Sequence, residues 1–121
     1  MRLFLLAATS ILISVAAQFS LKTGMSSSAI QSALAGDVGP RTLVTILTHP
    51  GVVLGFVLYG LGALLWLGVL ARWDVSKAYP LAGFGFIVAV LVGWLHGEQV
   101  SVMRTVGALL ICAGVVLVGR S

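Results

Sequence analysis

Four stretches of mostly apolar residues occupy most of this 121-residue sequence, and each can cross a bilayer as a helix. A transmembrane helix needs about 20 such residues, because each advances it by about 1.5 Å across a hydrocarbon core of about 30 Å. The stretches cover residues 3–22, 51–71, 78–96 and 101–119. Backbone amides in lipid must be paired within helices or closed barrels. The pattern therefore predicts an all-α membrane protein, with residues 1–121 as one four-helix transmembrane domain.

The composition agrees with this prediction and excludes several other classes. Only 8% of the residues are charged, whereas a soluble domain carries about 25%. Seven basic and three acidic residues give a net charge of +4, and they are too scattered for a nucleic-acid surface. The single cysteine, Cys112, allows no intrachain disulfide and no cysteine-based zinc site. Because no phosphate-binding motif or nucleophile–base pair is recognisable either, we expect no cofactor, no metal and no enzymatic activity.

Residues 23–50 form the only long polar connection between the apolar stretches. Its first part, 25–39, is rich in serine, alanine and glycine, and Pro40 follows. Proline favours the first turn of a helix, and apolar residues then recur at helical spacing: Leu43, Val44, Ile46 and Leu47. We predict a short helix that lies at the membrane interface. The alternative is an extension of the second transmembrane helix beyond a kink at Pro50.

The charges beside the four spans predict their orientation only weakly. Four spans divide the basic residues between the two membrane surfaces, with Arg2, Arg72, Lys77 and Arg120 on one and Lys22, Arg41 and Arg104 on the other. Four against three slightly favours both termini in the cytoplasm. The same topology places the ends of the first and third spans, with Lys22, His96 and Glu98, at one surface.

Ser10, Ser14, Gln18 and Lys22 form a row at intervals of four residues in the first apolar stretch. Residues four apart share one side of a helix, and the row drifts by about 40° at each step. A polar row avoids lipid, so it is expected to face a neighbouring helix or a polar cavity. Serines can also bond back to carbonyls of their own helix, which is the favoured interpretation for Ser10. Gln18 is the strongest binding candidate, because an unpaired amide inside a span is unfavourable.

The first and last spans resemble the small multidrug resistance family of the drug/metabolite transporter superfamily. The matching residues are Ile11-Leu12-x-x-Val15, Lys22 and the run from Gly107 to Val115. The resemblance implies a dimer of four-helix subunits, often antiparallel, in which the last helix makes much of the contact. On this chain those contact positions are Gly107, Leu110, Ile111 and Gly114. Drug exporters of the family carry a proton-exchanging glutamate where this chain has Ser14, and an aromatic residue near Ala82.

One branch of the superfamily, the aminoarabinose-phosphoundecaprenol flippase subunits, is more similar. The shared segments are Ser14-Val15-Ala16-Ala17-Gln18-x-x-x-Lys22, Ala78-Tyr79-Pro80-Leu81, His96-Gly97-Glu98 and Gly107 to Gly114. The resemblance covers all four spans but not the long first connection. It implies transport of a lipid-linked sugar across the bacterial inner membrane, by a homodimer or by a heterodimer with a paralogue.

The chemistry of such a substrate assigns roles to five residues. A polyprenyl-phosphate sugar needs a groove open to lipid for its hydrocarbon and polar partners for its headgroup. Ser14 and Gln18 are predicted to bind the headgroup, and Lys22 to attract the phosphate at one mouth. Glu98 is predicted to hold Lys22 or to bind an amino group, and Tyr79 to line the opposite mouth.

The alternatives for the last three residues are structural. Lys22 can be a membrane anchor, Glu98 can pair with Lys22 or Arg104, and Tyr79 can simply begin the third span beside Pro80.

Three functions follow in order of preference. We expect a flippase for an undecaprenyl-phosphate-linked sugar, an aminosugar in particular. The first alternative is an exporter of small cations, which needs a carboxylate, and only Glu98 is available. The second is a partner subunit that stabilises a heteromeric flippase without transporting.

Overall fold

The computed structural model describes residues 2–121, and all of the regular secondary structure in that range is helical. Seven helices follow one another along the chain: α1 Arg2–Met25, α2 Ser28–Ala35, α3 Pro40–Thr48, α4 Pro50–Leu70, α5 Val75–Leu81, α6 Gly83–Leu95 and α7 Val102–Arg120. Four candidate membrane spans are present in this range, namely α1, α4, α5 with α6, and α7. The predictions of an all-α protein and of four spans are therefore confirmed.

The third span is interrupted near its beginning. Pro80 lies inside α5, and the amide of Ala82 donates to the carbonyl of Tyr79, only three residues back. Proline lacks the amide that a continuous helix requires and crowds the preceding turn, so α5 ends at Leu81 and α6 begins at Gly83. The span also begins at Val75, three residues before the predicted boundary of 78.

The connection between α1 and α4 contains two helices rather than the one predicted. The additional helix, α2, begins after Ser27, whose hydroxyl oxygen accepts from the amide of Ile30. Ile30 is fully buried, and α2 packs against α1 and α3. A serine cap and one buried isoleucine therefore fold a segment whose composition is typical of a loop.

The predicted helix after Pro40 is present as α3, and it is not an extension of α4. The two helices are separated by His49, which has an extended backbone and whose Nδ1 accepts from the amide of Gly51 at 3.1 Å. Three apolar side chains of α3 stay about half exposed: Leu43, Val44 and Leu47. The position of α3 at the membrane interface stays a prediction.

The antiparallel pair of α1 and α4 is the most closely packed part of the fold. Gly55 of α4 lies against Leu21 and Ala17, so that a Cβ atom there would come within 2.6 Å of the leucine side chain. Gly62 lies against Ser14 and Ser10, and a Cβ atom added at Gly62 would lie 2.9 Å from the Ser14 hydroxyl oxygen. Small residues allow membrane helices to approach closely, and here they lie on both partners.

The last helix, α7, packs against α5 and α6. Ile111 and Val115 fill the space beside Gly83, within 3.0 and 3.1 Å of the position of a Cβ atom there. At the end of the bundle that carries the beginning of α1, Ala7, Val69 and Ala78 form a buried cluster joining α1, α4 and α5. These contacts leave an open space between the α1–α4 pair and the α5–α7 group.

Candidate functional site: an uncharged cavity between the helices

A cavity of about 990 Å³ lies between α1, α4, α5, α6 and α7. Its polar side chains are Ser10, Ser14, Gln18, Tyr59 and Tyr79, and the other lining residues of the described chain are apolar, glycine or proline. No aspartate, glutamate, lysine or arginine is among the lining residues from the part of the chain described, 2–121. The cavity is an open cleft, because Gln18, Tyr59 and Tyr79 are all exposed.

Three residues of the predicted polar row, Ser10, Ser14 and Gln18, reach this cavity, but Ser10 does not bond as expected. Ser10 is buried and its hydroxyl donates to the carbonyl of Gly62 on α4 at 2.7 Å, so the expected bond to its own helix is wrong. Ser14 makes that intrahelical bond instead, to the carbonyl of Ser10 at 2.9 Å. The reason is Gly62, which has no side chain and brings a backbone carbonyl of α4 within reach of Ser10.

Gln18 meets a partner that the sequence analysis did not include in the site. Its Nε2 donates to the hydroxyl of Tyr59 on α4 at 3.1 Å. Within residues 2–121 this is the one hydrogen bond between two side chains, and it leaves the Gln18 carbonyl oxygen and the Tyr59 hydroxyl proton for a ligand. The signal in the sequence was a tyrosine in the middle of an uncharged span, because a tyrosine hydroxyl in an apolar setting usually finds a partner.

Tyr79 lies where the cavity opens toward the membrane surface at which α1 begins. Its side chain is 72% exposed, and Pro80 and Val118 line the same end. Gln18 lies about 24 Å along α1 from Arg2, at 1.5 Å per residue. The polar groups therefore extend from near one surface to beyond the middle of the bundle.

Lys22 and Glu98 are not brought into the cavity. They lie near the opposite surface, where Phe19 and His96 stack at 5.8 Å between ring centroids. This stack confirms that the ends of the first and third spans share one surface. The carboxylate of Glu98 folds against Gly93, with its Cδ atom 3.0 Å from the position of a Cβ atom there.

No ion pair within 4.0 Å joins Glu98 to Lys22 or Arg104 in the described chain. Arg104 instead donates from Nη1 to the carbonyl of Gln99 at 3.1 Å. The pairing expected of Glu98 with either base is therefore not present in this single subunit.

The predicted dimer positions on α7 divide into two groups. Gly107 and Gly114 have open space at their Cβ positions, and Leu110 is 68% exposed. Ile111 lines the cavity and packs beside Gly83, and Gly114 also borders the cavity. Met103 and Leu117 are also exposed on the outward face of α7.

The chemistry that this cavity supports is hydrogen bonding without charge. Hydroxyl and amide groups in a mostly apolar cleft bind the hydroxyl-rich part of a ligand and release it again, because no buried ion pair holds it. A proton-coupled cation exporter needs a carboxylate there, and none lines the cavity within residues 2–121. No cluster of three histidine, cysteine, aspartate or glutamate residues that could hold a metal occurs in that range.

Comparison with known proteins identifies relatives among membrane transport proteins. No protein-family model matches the chain. No solved structure matches it either. A probable 4-amino-4-deoxy-L-arabinose-phosphoundecaprenol flippase subunit ArnE from Pseudomonas savastanoi pv. phaseolicola is 40% identical over 83 residues, covering 60% of this chain and 73% of the relative.

Proteins of the same description occur in other bacteria as well. The Pseudomonas aeruginosa (strain UCBPP-PA14) protein is 41% identical over 76 residues, which cover 62% of this chain and 66% of the relative. The Erwinia tasmaniensis protein is 39% identical over 64 residues, which cover 52% of this chain and 59% of the relative. The chain thus spans slightly less than two thirds of the length of these two relatives.

Proposed function

This chain belongs to the family of the ArnE flippase subunits, and from that membership we propose that it moves an undecaprenyl-phosphate-linked aminosugar across the bacterial inner membrane. It is a multi-pass protein of that membrane, with four long apolar helices. Its relatives are flippase subunits, which places it among transporters. The relatives are described as probable flippase subunits for an aminosugar-carrying lipid, and the cavity offers hydrogen-bond partners for the hydroxyl groups of such a headgroup.

The observation that carries this proposal is the uncharged polar lining of a cavity that is open at the surface of the helical bundle. Ser14, Gln18 and Tyr59 offer hydroxyl and amide groups between apolar walls. A sugar headgroup that crosses the bilayer needs such partners along its path, since unpaired hydroxyls in hydrocarbon are costly. Most of the long hydrocarbon tail is proposed to stay in the lipid outside, because the cleft is open along the exposed Gln18 and Tyr59.

Lys22 and Glu98 are proposed to act at the far surface rather than in the cavity. Lys22 is exposed at the end of α1, and Glu98 is exposed just beyond α6. A lysine there attracts the anionic phosphate as a point charge, and the carboxylate is proposed to bind an amino group on the arriving sugar. Tyr79 has the corresponding position at the opposite surface.

We expect purified protein, alone or with its partner subunit, to make vesicles permeable to the lipid-linked aminosugar. The substrate carries a primary amine, so a membrane-impermeant amine reagent added outside labels only molecules exposed in the outer leaflet. Full labelling with the protein and half labelling without it is the expected result. Half labelling of vesicles that contain the protein, as of vesicles without it, would reject the proposal. Transport of quaternary ammonium compounds in place of the lipid would favour the cation exporter.

A partner on the outward face of α7 completes the proposed assembly. The relatives are described as subunits, and this face carries exposed Leu110 between two glycines whose Cβ positions are open. Glycines separated by seven residues on a transmembrane helix allow close approach of another helix. We propose that a second four-helix subunit, a further copy or a paralogue, packs here.

Gly107→Leu is expected to reduce subunit association about tenfold, since a branched side chain separates the two helices at their closest approach. Energy transfer between labelled subunits in vesicles measures this. The matched control is Gly119→Leu on the same helix, because a Cβ atom at either position meets nothing within this chain. Equal association of both variants with wild type would exclude this face as the interface.

A further inference from the structure

A second, entirely apolar groove of about 410 Å³ lies on a neighbouring face of α1. It runs between α1 and the α5–α6 span and is lined by Phe4, Leu5, Ala7, Ala8, Ile11, Leu12, Leu81, Phe84 and Val88. Ile11 also lines the larger cavity, and Gly85 packs against Ile11 at 3.1 Å from its Cβ position. The groove and the cavity are thus adjacent and share Ile11 as a wall.

A cationic side chain, Lys77, is linked to one wall of the groove through two aromatic contacts. Lys77, Leu81, Phe84 and Val88 are spaced by four, three and four residues, so they follow one side of the α5–α6 span across its interruption at Ala82. The Nζ of Lys77 lies over the Trp73 ring, 5.0 Å from its centroid. Trp73 in turn packs edge-on against Phe4, with 5.0 Å between the ring centroids. Phe4 is itself a wall of the groove.

This combination matches a lipid that carries a phosphate. Tryptophan and lysine are characteristic of the membrane surface, where the phosphate of a lipid lies. The cation–π contact holds Lys77 over Trp73, which packs against the Phe4 wall of the groove, and the apolar lining suits a hydrocarbon chain. Among the lining residues within 2–121, none carries a polar side chain, so the groove recognises hydrocarbon alone and the recognition of charge falls to Lys77.

We propose that this groove binds the polyprenyl phosphate part of the substrate, with the phosphate at Lys77 and the first isoprene units between α1 and the α5–α6 span. The inference rests on the proposed function, which supplies the polyprenyl phosphate as the lipid. The small Ala7 and Ala8 line the groove together with the bulky Phe4 and Phe84, and all four side chains are apolar.

The test uses a photoactivatable undecaprenyl phosphate that carries no sugar, with its reactive group on the first isoprene units, and the full chain in vesicles. Labelling is expected in the peptides that contain α1 and α5–α6. Lys77→Gln is expected to lower labelling about tenfold, because it removes a charge-assisted contact to phosphate, and Lys77→Arg is expected to restore it. Arg120→Gln is the matched control, since it removes a charge from the same membrane surface without touching the groove.

A second variant tests the groove itself. Ala8→Phe fills it and is expected to lower labelling by a similar factor, while Ala113→Phe, at an exposed position of α7, leaves labelling unchanged. Equal labelling of wild type, Lys77→Gln and Ala8→Phe would overturn the inference, as would labelling confined to other helices. If phosphatidylglycerol displaced the probe as effectively as undecaprenyl phosphate does, the groove would be a general lipid site. That result would also overturn the inference.

The same probe separates this inference from the proposed function. Because it has no sugar and its binding needs no translocation, groove labelling is measured whether or not the lipid-linked aminosugar is transported. Transport by a variant that has lost labelling would reject the groove and leave the proposed function standing.

Discussion

In reconstituted vesicles, the Gln18→Leu variant is expected to move the lipid-linked aminosugar at about one tenth of the wild-type rate or less. Leucine has a similar size, so the change removes the amide that lines the cavity and bonds to Tyr59 at 3.1 Å. A headgroup that loses a hydrogen bond in an apolar cleft loses about 1.5 kcal/mol, which corresponds to roughly tenfold. The initial rate of amine labelling measures the change.

Two companion variants make this prediction specific. Gln31→Leu makes the same chemical change on α2, where the amide bonds to the carbonyl of Met25 and does not line the cavity. It should transport at the wild-type rate. Tyr59→Phe removes the partner of Gln18 and is expected to lower the rate less than Gln18→Leu does. A fully active Gln18→Leu variant would exclude Gln18 from the path of the headgroup.

Gly55→Leu is expected to lower the free energy of unfolding by about 2 kcal/mol or more, the usual range for overpacking a close contact. Even a Cβ atom at this position would lie 2.6 Å from the Leu21 side chain and 3.2 Å from the Ala17 carbonyl. The carbonyl belongs to the backbone of α1, so relief requires the two helices to separate. Reversible unfolding in mixed micelles, followed by circular dichroism, measures the loss.

Gly60→Leu is the matched control for this effect. Gly60 lies on the same helix, is exposed, and has nothing within 4 Å of its Cβ position. Its replacement should be neutral or slightly stabilising, because leucine favours a helix more than glycine does. If both variants unfolded alike, the close approach of α1 and α4 would not be the source of the instability.

The four spans followed from the sequence because membrane insertion depends on length and hydropathy, which are local properties. The polar row likewise predicted that Ser14 and Gln18 line a cavity, since periodicity places residues on one face of a helix. The prediction for Ser10 was wrong because its hydrogen bond depends on Gly62, which is 52 residues away in the sequence. A glycine in a span shows that close approach is possible, but not which helix approaches.

Tyr59 and α2 show two further limits. Tyr59 becomes a site residue only when α4 packs against α1 in a register that brings its hydroxyl to Gln18. Helix α2 has a serine- and alanine-rich sequence, and its formation depends on the burial of Ile30 against its neighbours. Both depend on tertiary packing, which overrides local propensity.

The uneven packing of the helices has a mechanical consequence. Helices α1 and α4 are joined by interlocking small residues, and α7 is joined to α5 and α6 beside Gly83. Between these two groups of helices the contacts are fewer, and the short turn at residues 71–74 connects them at the end with the Ala7, Val69 and Ala78 cluster. We therefore expect any change in the width of the cleft to occur at the seam between Gly85 and Ile11, with every helix intact, rather than between α1 and α4.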